Sequence, residues 1–356
     1  MTTIRAFLAI AVSKNWEIQQ MDVHNAFLLY VDDLIISGND SAALNVFKAY
    51  LGDCFKMKDL GPLEYFLGIE VARSKSGLFL CQRKYTLDIV SEAGLLGAKP
   101  SGFPMQNHRL SLASGELLEN PESYRRLVGR FIYLSVTRPD LAYSVHILSQ
   151  FMHKPRIEHW EAALRVVRYL KGTPGQGILL SVDSDLTLQG WCDSVWAACP
   201  LTRRSLTGWL VFLGKSPISW KTKKRPTVAT SSSEAEYRCM SSTTHELKWL
   251  KALLLSLGVE HPKAIKLFCD NQSALYIARN PVFHERTKHI EIDCHIVRDA
   301  ITEGLIDPSY VSTKEQLADI FTKALGKSQF DHLLSKLDIY NPPCSNLRGG
   351  IEDIIY

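Results

Sequence analysis

The sequence carries, at Leu186–Asp193, the segment LTLQGWCD, which predicts a β-strand over Leu186–Cys192 followed by an acid. Two more strands are predicted next along the chain, at Leu206–Phe212 and Ile218–Lys221. Beyond them the pattern predicts a helix over Glu234–Leu257, a strand over Ile265–Cys269, helices over Gln272–Arg279 and Ile290–Glu303, a strand over Ile306–Val311 and a last helix over Gln316–Leu325. Three strands followed by alternating helices and strands indicate an α/β (α+β) fold, in which helices flank a mixed five-stranded sheet.

Four acids lie at informative places in these predicted elements. Asp193 and Asp270 each follow a strand, so their side chains leave the same edge of the sheet if the two strands are parallel neighbours. Glu234 opens the long helix and Asp319 lies in the last one, and both helices can bring their acids to that edge. Four clustered carboxylates would repel and raise one another's pKa unless cations neutralised them. Oxygen ligands suit Mg²⁺, and a pair of such ions suits in-line displacement at phosphorus.

Each of these acids also has an ordinary structural interpretation. Asp193 can be a turn residue at a strand end, and Asp270 can cap the helix that follows it. Glu234 can be the third residue of a capping box that begins at Ser231, and Asp319 can be a solvated helix residue. Taken one at a time, these interpretations stay open. The arrangement of all four acids favours a metal site.

In combination, these segments resemble the ribonuclease H domain of copia-type retrotransposon Pol polyproteins. The matching segments are 188–197, 203–208, 218–224, 231–237, 269–274, 286–292 and 316–323. The resemblance implies a ribonuclease H-like fold that binds two Mg²⁺ ions and hydrolyses the RNA strand of an RNA–DNA hybrid. The metal ligands that it implies are Asp193, Glu234, Asp270 and Asp319. Use of Mn²⁺ instead of Mg²⁺ stays open, as does the fourth acid, for which Glu291 and Asp293 are rivals.

The densest basic cluster of the second half consists of Lys221, Lys223, Lys224 and Arg225. Lysines and arginines contact phosphates without reading the base sequence, so the cluster predicts a binding surface for the hybrid. A solvated turn is the equal alternative. No histidine precedes Asp319 that could be carried over as a general base, and His289 and His295 are interpreted as structural.

The first half resembles the reverse transcriptase of the same family. Tyr30-Val31-Asp32-Asp33, between apolar strands, is similar to the hairpin that carries two metal-binding aspartates, and the segment around Asp22 is similar to the strand that carries the third. The segments 60–70 and 124–129 match as well, and they imply a palm remnant, a hairpin that contacts the primer and a thumb or connection region. Without these matching segments, Asp32 and Asp33 would be interpreted as turn residues.

The spacing of these acids predicts that polymerase activity is lost. Asp22 and Asp32 are 32 − 22 = 10 residues apart, whereas the family places several tens of residues between them. A crossover between neighbouring parallel strands alone needs about a dozen residues or more, so the elements that grip the template and the nucleotide cannot fit. We therefore expect a truncated reverse transcriptase with exposed palm surface, followed by a complete ribonuclease H domain.

The composition excludes several classes of protein. The 356 residues are 46% hydrophobic and 22% charged, which is typical of a globular protein and excludes a disordered tail, a collagen-like fibre or a small disulfide scaffold. The net charge of +4 means that any basic site must be local. Eight cysteines without a Cys-x-x-Cys pair predict buried thiols in a reducing compartment and argue against a zinc ribbon. No transmembrane segment or signal peptide is predicted, so we expect a cytoplasmic or nuclear protein without a membrane partner.

The main domain boundary is predicted at the turn residues 172–175. It divides the chain into a truncated reverse transcriptase remnant at 1–175, a ribonuclease H-like domain at 183–328 and a loose C-terminal tail at 329–356. Three hypotheses follow: a nuclease that acts on RNA–DNA hybrids, a non-catalytic nucleic-acid-binding module, or an inactive transposon relic. Cleavage, salt-dependent binding without cleavage, and the absence of a soluble product would distinguish them. The sequence gives no oligomeric state.

Overall fold

The computed structural model describes residues 1–23, 33–55, 57–106, 110, 113–280 and 290–342. Its helices are α1 (Thr2–Ser13), α2 (Ser41–Phe55), α3 (Arg83–Glu92), α4 (Pro121–Leu134), α5 (Ala142–Ser149), α6 (Ile157–Gly172), α7 (Ser232–Ser256), α8 (Gln272–Arg279), α9 (Glu291–Thr302) and α10 (Lys327–Ser335). Its strands are β1 (Glu17–Val23), β2 (Asp33–Gly38), β3 (Met57–Pro62), β4 (Tyr65–Phe66), β5 (Ile69–Ser74), β6 (Gly77–Cys81), β7 (Gly177–Ser181), β8 (Leu188–Val195), β9 (Leu206–Leu213), β10 (Ser216–Lys224), β11 (Ile265–Cys269), β12 (Ile306–Tyr310) and β13 (Ile339–Tyr340).

The second half is built on a five-stranded sheet of order β10-β9-β8-β11-β12. The strands β10, β9 and β8 are antiparallel neighbours, whereas β11 runs parallel to both β8 and β12. Every residue of β9 is buried, as expected for a strand that is covered on both faces of the sheet. The mixed five-stranded sheet and the ribonuclease H-like fold class predicted from the sequence are confirmed.

The long helix α7 covers one face of this sheet and packs mainly on β8. Its inward stripe of buried residues follows the three- and four-residue spacing of an amphipathic helix: Met240, Thr243, Leu247, Leu250 and Leu254. The close approach depends on Gly190, because a Cβ at this position would lie only 3.3 Å from the Leu247 side chain. The absent side chain therefore fixes how near the helix lies to the strand that carries Asp193.

Two antiparallel sheets belong to the remaining part of the chain. One has the order β2-β1-β3, and the other has the order β13-β7-β6-β5-β4. In the second, β7 pairs with β6 on one side and with β13 on the other, so residues 339–340 close a sheet that begins at residue 65. Residues far apart in the sequence are thus neighbours in one sheet.

Two expectations about the C-terminal part are wrong. The predicted last helix over Gln316–Leu325 is a short 3₁₀ turn at Leu317–Phe321, followed by the separate helix α10. The predicted loose tail is ordered as far as residue 342, because Phe330, Leu333 and Ile339 are buried. The Phe330 ring of α10 packs edge-on against the Tyr169 ring of α6, and β13 pairs with β7; residues 343–356 lie outside the described ones.

The division of the chain at 1–175, 183–328 and 329–356 stays a prediction, and contacts cross it. The Arg5 side chain of α1 donates from Nε to the Ile218 carbonyl oxygen at 2.8 Å, and its guanidinium lies 3.8 Å from the centroid of the Trp220 ring. The helix α1 therefore packs on the outer strand β10 of the five-stranded sheet. Among the residues that the structure describes, no helix is long and apolar enough to cross a membrane.

Candidate active site

Three aspartates meet at one edge of the five-stranded sheet. Asp193 lies near the end of β8, and Asp270 directly follows β11. The two strands are parallel and paired through Trp191 and Phe268, so both aspartates are carried to the same edge. Carboxylate oxygens of Asp193, Asp270 and Asp319 all lie within 4.8 Å of one another. The structure thus brings together three of the four acids that the sequence singled out.

Asp319 reaches the other two through the 3₁₀ turn at Leu317–Phe321. Gln316 fixes the turn, because its amide Nε2 donates to the Cys192 carbonyl oxygen at 3.1 Å and its Oε1 accepts from the Ala318 N–H. Gly208, which pairs with Asp193 across β9 and β8, leaves room for the turn, since a Cβ there would lie 2.7 Å from the Phe321 Cβ. The turn is therefore fitted against the strand pair that carries Asp193.

Glu236 is the fourth carboxylate at this site. It projects from α7 and is 95% buried, its exposed fraction being 5%. Its Oε1 accepts a hydrogen bond from the Ser194 N–H at 3.2 Å, which holds the carboxylate against the end of β8. A carboxylate oxygen of Glu236, one of Asp270 and the Cys269 sulfur lie within 4.8 Å of one another. Asp270 therefore belongs to both groups of ligand atoms.

Glu234, the fourth acid expected from the sequence, lies elsewhere. Its Oε2 accepts from the Thr230 N–H at 2.6 Å and from the Thr230 hydroxyl, and its Oε1 forms a 2.8 Å ion pair with Arg238. The Ser231 hydroxyl accepts from the Glu234 N–H at 3.2 Å, as the N-cap of α7. Glu234 therefore helps to stabilise the beginning of α7. This role is close to the capping-box interpretation that the sequence left open.

The helical period explains why Glu234 and Glu236 have different surroundings. Residues two apart on an α-helix are about 200° apart around its axis, so the two side chains leave opposite sides of α7. Glu236 is four residues before Met240 and shares the inward stripe, whereas Glu234 is four residues before Arg238. The continuation of the apolar stripe back to Glu236 was the sequence signal that could have identified it.

Burial and mutual repulsion raise the pKa values of Glu236, Asp319 and Asp193. Burial, together with the charge of Asp193, raises the pKa of Glu236 to about 11. Burial also raises the pKa of Asp319 to about 7, with Asp193 adding to the rise and Lys323 opposing it. The pKa of Asp193 is raised by burial against the opposing charge of Lys323. Keeping all of these groups ionised at neutral pH requires positive charge at the site.

Lys323 supplies part of that charge. Its ammonium Nζ lies 2.6 Å from Asp319 Oδ1 and 3.3 Å from Asp193 Oδ1. Burial alone would lower its pKa, but the two carboxylates raise it. The second oxygen of Asp193 accepts from the Thr322 hydroxyl. Lys323 therefore bridges two of the acids. The sequence analysis assigned it no role beyond its place in the matching segment 316–323.

The rival acids on α9 are not part of this arrangement. Glu291 and Asp293 lie in the first turn of α9, and neither belongs to a group of potential metal ligands among the described residues. His295 is exposed on the same helix, and His289 lies outside the described residues. The structure thus gives no support to a ligand from α9.

The predicted basic cluster is divided between two environments. Lys221 and Lys223 are exposed on β10, and the Lys221 Nζ lies 5.3 Å from the centroid of the Trp209 ring. Lys224 instead donates from Nζ to Gln150 Oε1 at 2.5 Å, and Arg225 donates to the Arg238 carbonyl oxygen. Two members of the cluster are therefore exposed to a ligand, and two make internal contacts.

The acids of the first half lie on β1 and β2. Asp22 and Asp33 are directly opposite each other in this antiparallel pair, and Asp33 Oδ1 accepts from the Gln20 side-chain amide at 3.0 Å. Asp32, which was expected beside them, lies outside the described residues. The structure therefore brings together two of the three expected acids.

Comparisons with known proteins identify the origin of the chain. The family model described as reverse transcriptase (RNA-dependent DNA polymerase) matches residues 28–107. The retrovirus-related Pol polyprotein from transposon RE2 of Arabidopsis thaliana is 44% identical over 327 residues, which are 91% of this chain and 22% of that protein. The putative transposon Ty5-1 protein YCL074W of Saccharomyces cerevisiae is 31% identical over 223 residues, which are 62% of this chain and 72% of that protein. The chain belongs to the copia-type retrotransposon Pol family.

This copia-type Pol chain spans about a fifth of the length of the long Pol relatives, 22% in the case of RE2. Among solved structures, ribonuclease H1 from the halophilic archaeon Halobacterium salinarum is similar with a TM-score of 0.30 and 13% identity, over 38% of this chain and 94% of that one. The sequence resemblance to copia-type Pol polyproteins is thus confirmed, and the activity of this chain is a separate question.

The acid site of the Pol chain fits divalent cations. Asp193 and Glu236 are at least 95% buried. Keeping both carboxylates ionised costs free energy, and the charge of Lys323 alone does not offset that cost. Carboxylate oxygens are the donors preferred by hard ions such as Mg²⁺ and Mn²⁺. Asp193, Asp270 and Asp319 would hold one ion, and Glu236 with Asp270 would hold a second at a shared ligand.

Proposed function

We propose that this chain hydrolyses the RNA strand of RNA–DNA hybrids in a reaction that depends on Mg²⁺. The observation that supports the proposal is the convergence of four carboxylates at one edge of the five-stranded sheet: Asp193, Glu236, Asp270 and Asp319. In this proposal Glu236 takes the place that the sequence assigned to Glu234. A site of three buried acids and the half-buried Asp270, which is shared by two groups of ligand atoms, matches what two-ion phosphodiester hydrolysis requires.

The residues of the chain hold the acids in position for this chemistry. The Thr322 hydroxyl donates to Asp193, the Ser194 N–H donates to Glu236, and the Thr313 hydroxyl donates to Asp270 Oδ2 at 2.9 Å. These donors fix one oxygen of each of the three carboxylates; the second oxygen of Asp193 is contacted by Lys323, with which a cation would compete. Two bound Mg²⁺ ions would supply an activated water and would stabilise the leaving 3′ oxygen.

The exposed lysines would bind the hybrid backbone. Lys221 and Lys223 project from the outer strand β10, and contacts with phosphates give affinity without a sequence preference. The RNA strand would be recognised by its 2′-hydroxyl groups across the wide minor groove. Affinity is therefore expected to fall with increasing salt.

The test is cleavage of an end-labelled RNA–DNA hybrid by the full chain, with Mg²⁺ and with EDTA. The matched variants are Glu236→Gln and Glu234→Gln, which make the same chemical change two residues apart on α7. We expect Glu236→Gln to lower the rate by more than about a hundredfold, beyond the loss typical of a residue behind a metal ligand. Glu234→Gln is expected to keep cleavage per folded molecule within a few-fold. Equal losses in the two variants, or cleavage that persists in EDTA, would overturn the assignment.

A second candidate, hybrid binding without hydrolysis, is favoured by Lys323. Its ammonium already lies between Asp193 and Asp319, where a divalent cation would have to compete with it. Salt-dependent binding by a folded chain that does not cleave in Mg²⁺ or Mn²⁺ would select this candidate.

We also propose that polymerase activity is lost. Nine residues separate the end of β1 at Val23 from the start of β2 at Asp33, and the two strands are direct antiparallel neighbours. So short a connection leaves no room for elements that would hold a template and close over a nucleotide. Extension of a labelled primer on an RNA template by the full chain would contradict this proposal.

A further inference from the structure

A sulfur atom lies among the oxygens of the acid site. Cys269 ends β11, is fully buried, and directs its Sγ towards Glu236 Oε2 at 3.9 Å. The Sγ and carboxylate oxygens of Glu236 and Asp270 are all within 4.8 Å of one another. The group around Asp193 and Asp319 contains only oxygen ligands, so the two halves of the site differ in chemistry.

Cys269 differs from the two other buried cysteines nearby. The Cys192 thiol donates to the Phe268 carbonyl oxygen at 3.6 Å, and the Cys239 thiol donates to the Asp193 carbonyl oxygen at 3.2 Å. The Cys269 thiol donates to Glu236 Oε2 at 3.9 Å, and its sulfur also accepts from the Asn271 N–H at 3.4 Å. Of the three cysteines, Cys269 therefore has its sulfur beside side-chain carboxylates and not only main-chain oxygens, which places one sulfur and two carboxylate ligands side by side.

The separation of the sulfur from the Glu236 oxygen is close to that in a tetrahedral zinc site. With Zn–S near 2.3 Å and Zn–O near 2.0–2.2 Å, neighbouring ligand atoms in a tetrahedron lie roughly 3.3–3.8 Å apart. The observed 3.9 Å between Cys269 Sγ and Glu236 Oε2 needs only a slight contraction. Thiolate ligands select soft or borderline ions over Mg²⁺.

We propose that Cys269, Glu236 and Asp270 form a binding site for a thiophilic divalent cation of the zinc class, and that this ion inhibits hydrolysis. Inhibition rests on the proposed function: an ion held by Cys269, Glu236 and Asp270 occupies the position proposed for the second Mg²⁺ ion. Two protein carboxylates and one thiolate leave a fourth position of the tetrahedron for water.

Binding is tested first, without any activity measurement. Cd²⁺ is titrated into the full chain, and the absorption of a cadmium–thiolate bond is recorded. The background carries serine at Cys54, Cys199 and Cys344, because Cys54 is exposed, Cys199 is partly exposed and Cys344 lies outside the described residues. The variant is Cys269→Ser, and the matched control is Cys294→Ser, which removes a buried thiol from α9 instead.

We expect about one equivalent of Cd²⁺ to give the thiolate absorption in the background and in Cys294→Ser, and no such signal in Cys269→Ser. Glu236→Gln, which keeps the thiol, is expected to weaken Cd²⁺ binding about tenfold or more, since it removes a ligand. This second variant decides the matter if Cys269→Ser fails to fold. The proposal is overturned if Cys269→Ser keeps the signal, or if the background never shows it.

Inhibition is tested on hybrid cleavage by the same proteins. Zn²⁺ is expected to inhibit cleavage competitively with Mg²⁺, and Cys269→Ser is expected to need about ten times more Zn²⁺ for the same fractional inhibition of its own rate. A chain that binds Cd²⁺ but never cleaves hybrids would refute the proposed function and leave the metal site standing. A chain that cleaves but gives no thiolate signal would refute the metal site alone.

Discussion

Two groups of charged side chains that lie largely inside this molecule differ in their balance of charge. In the first, Arg138 and Asp140 form an ion pair with Nη2 and Oδ2 2.8 Å apart, and both side chains are essentially inaccessible. Tyr169 and Gln176 donate to Asp140, and Arg138 donates to both the carbonyl and the hydroxyl oxygens of Thr173. In the second group, the acids Asp193, Glu236, Asp270 and Asp319 face one lysine, Lys323.

The difference distinguishes a structural network from a functional one. Charges that are paired and hydrogen-bonded within the protein need nothing further, and removing one partner leaves the other buried and uncompensated. Excess charge of one sign costs free energy until protons or an external cation neutralise it, and such groups concentrate at functional sites. The first group is therefore expected to contribute to stability, and the second to metal-dependent chemistry.

The largest effect is expected from breaking the balanced pair. Asp140→Ala removes the carboxylate and leaves the fully buried Arg138 guanidinium without its counter-charge. We expect the free energy of unfolding to fall by about 3–5 kcal/mol. Urea unfolding of the full chain in EDTA, followed by circular dichroism, measures this change.

The control for that experiment removes the negative charge of one carboxylate in the acid-rich group. Asp193→Asn neutralises a carboxylate that repels its neighbours, so stability in EDTA is expected to be unchanged or raised while hybrid cleavage is lost. The comparison between the two groups fails if Asp193→Asn destabilises the chain as much as Asp140→Ala does.

A smaller effect is expected from increasing the imbalance. Lys323→Met keeps the aliphatic length of the side chain and removes the ammonium that bridges Asp193 and Asp319. Hydrogen bonds to charged groups contribute about 1.5–3 kcal/mol, so the unfolding temperature in EDTA should fall. Addition of Mg²⁺ should then raise it more in the variant than in the parent, because the ion no longer competes with the lysine.

Thermal unfolding at matched Mg²⁺ concentrations measures both shifts. A matched control is Lys215→Met, since Lys215 is exposed and pairs with Asp183 away from the acid site. An equal Mg²⁺ response in Lys323→Met and Lys215→Met would mean that Lys323 does not share the cation site.

The sequence predicted what depends on local pattern. Asp193 and Asp270 were identified because each follows an apolar strand, and the two strands proved to be parallel neighbours in the sheet. The beginning of α2 has a cause of the same local kind, since the Asp40 side chain accepts from the Ala43 N–H at 3.0 Å. In each case a short segment contains the physical cause of its own structure.

What the sequence did not predict depends on partners far along the chain. The turn that carries Asp319 is held by the Gln316 contact with Cys192, 124 residues away, and is not the regular helix that periodicity indicated. The basic cluster divides because Lys224 meets Gln150, 74 residues away, while Lys221 meets solvent. Pattern gives the residue types available for a site, and long-range packing decides which of them reach it.

The smallest effect concerns His146, a half-buried group that carries no charge where α5 meets β10. Its Nε2 accepts from the Lys224 N–H at 3.2 Å, and burial, aided by the charge of Lys224, lowers its pKa to about 4. The folded chain therefore keeps His146 neutral between its folded pKa and the ordinary value near 6.5, while the unfolded chain binds a proton there, so the free energy of unfolding falls as the pH drops through this window. One such proton gives a slope of at most about 1.4 kcal/mol per pH unit.

His146→Gln keeps an acceptor and removes the titration, so urea unfolding across this window should show a flatter pH dependence than the parent. Parallel curves would mean that His146 is already accessible to protons in the folded chain.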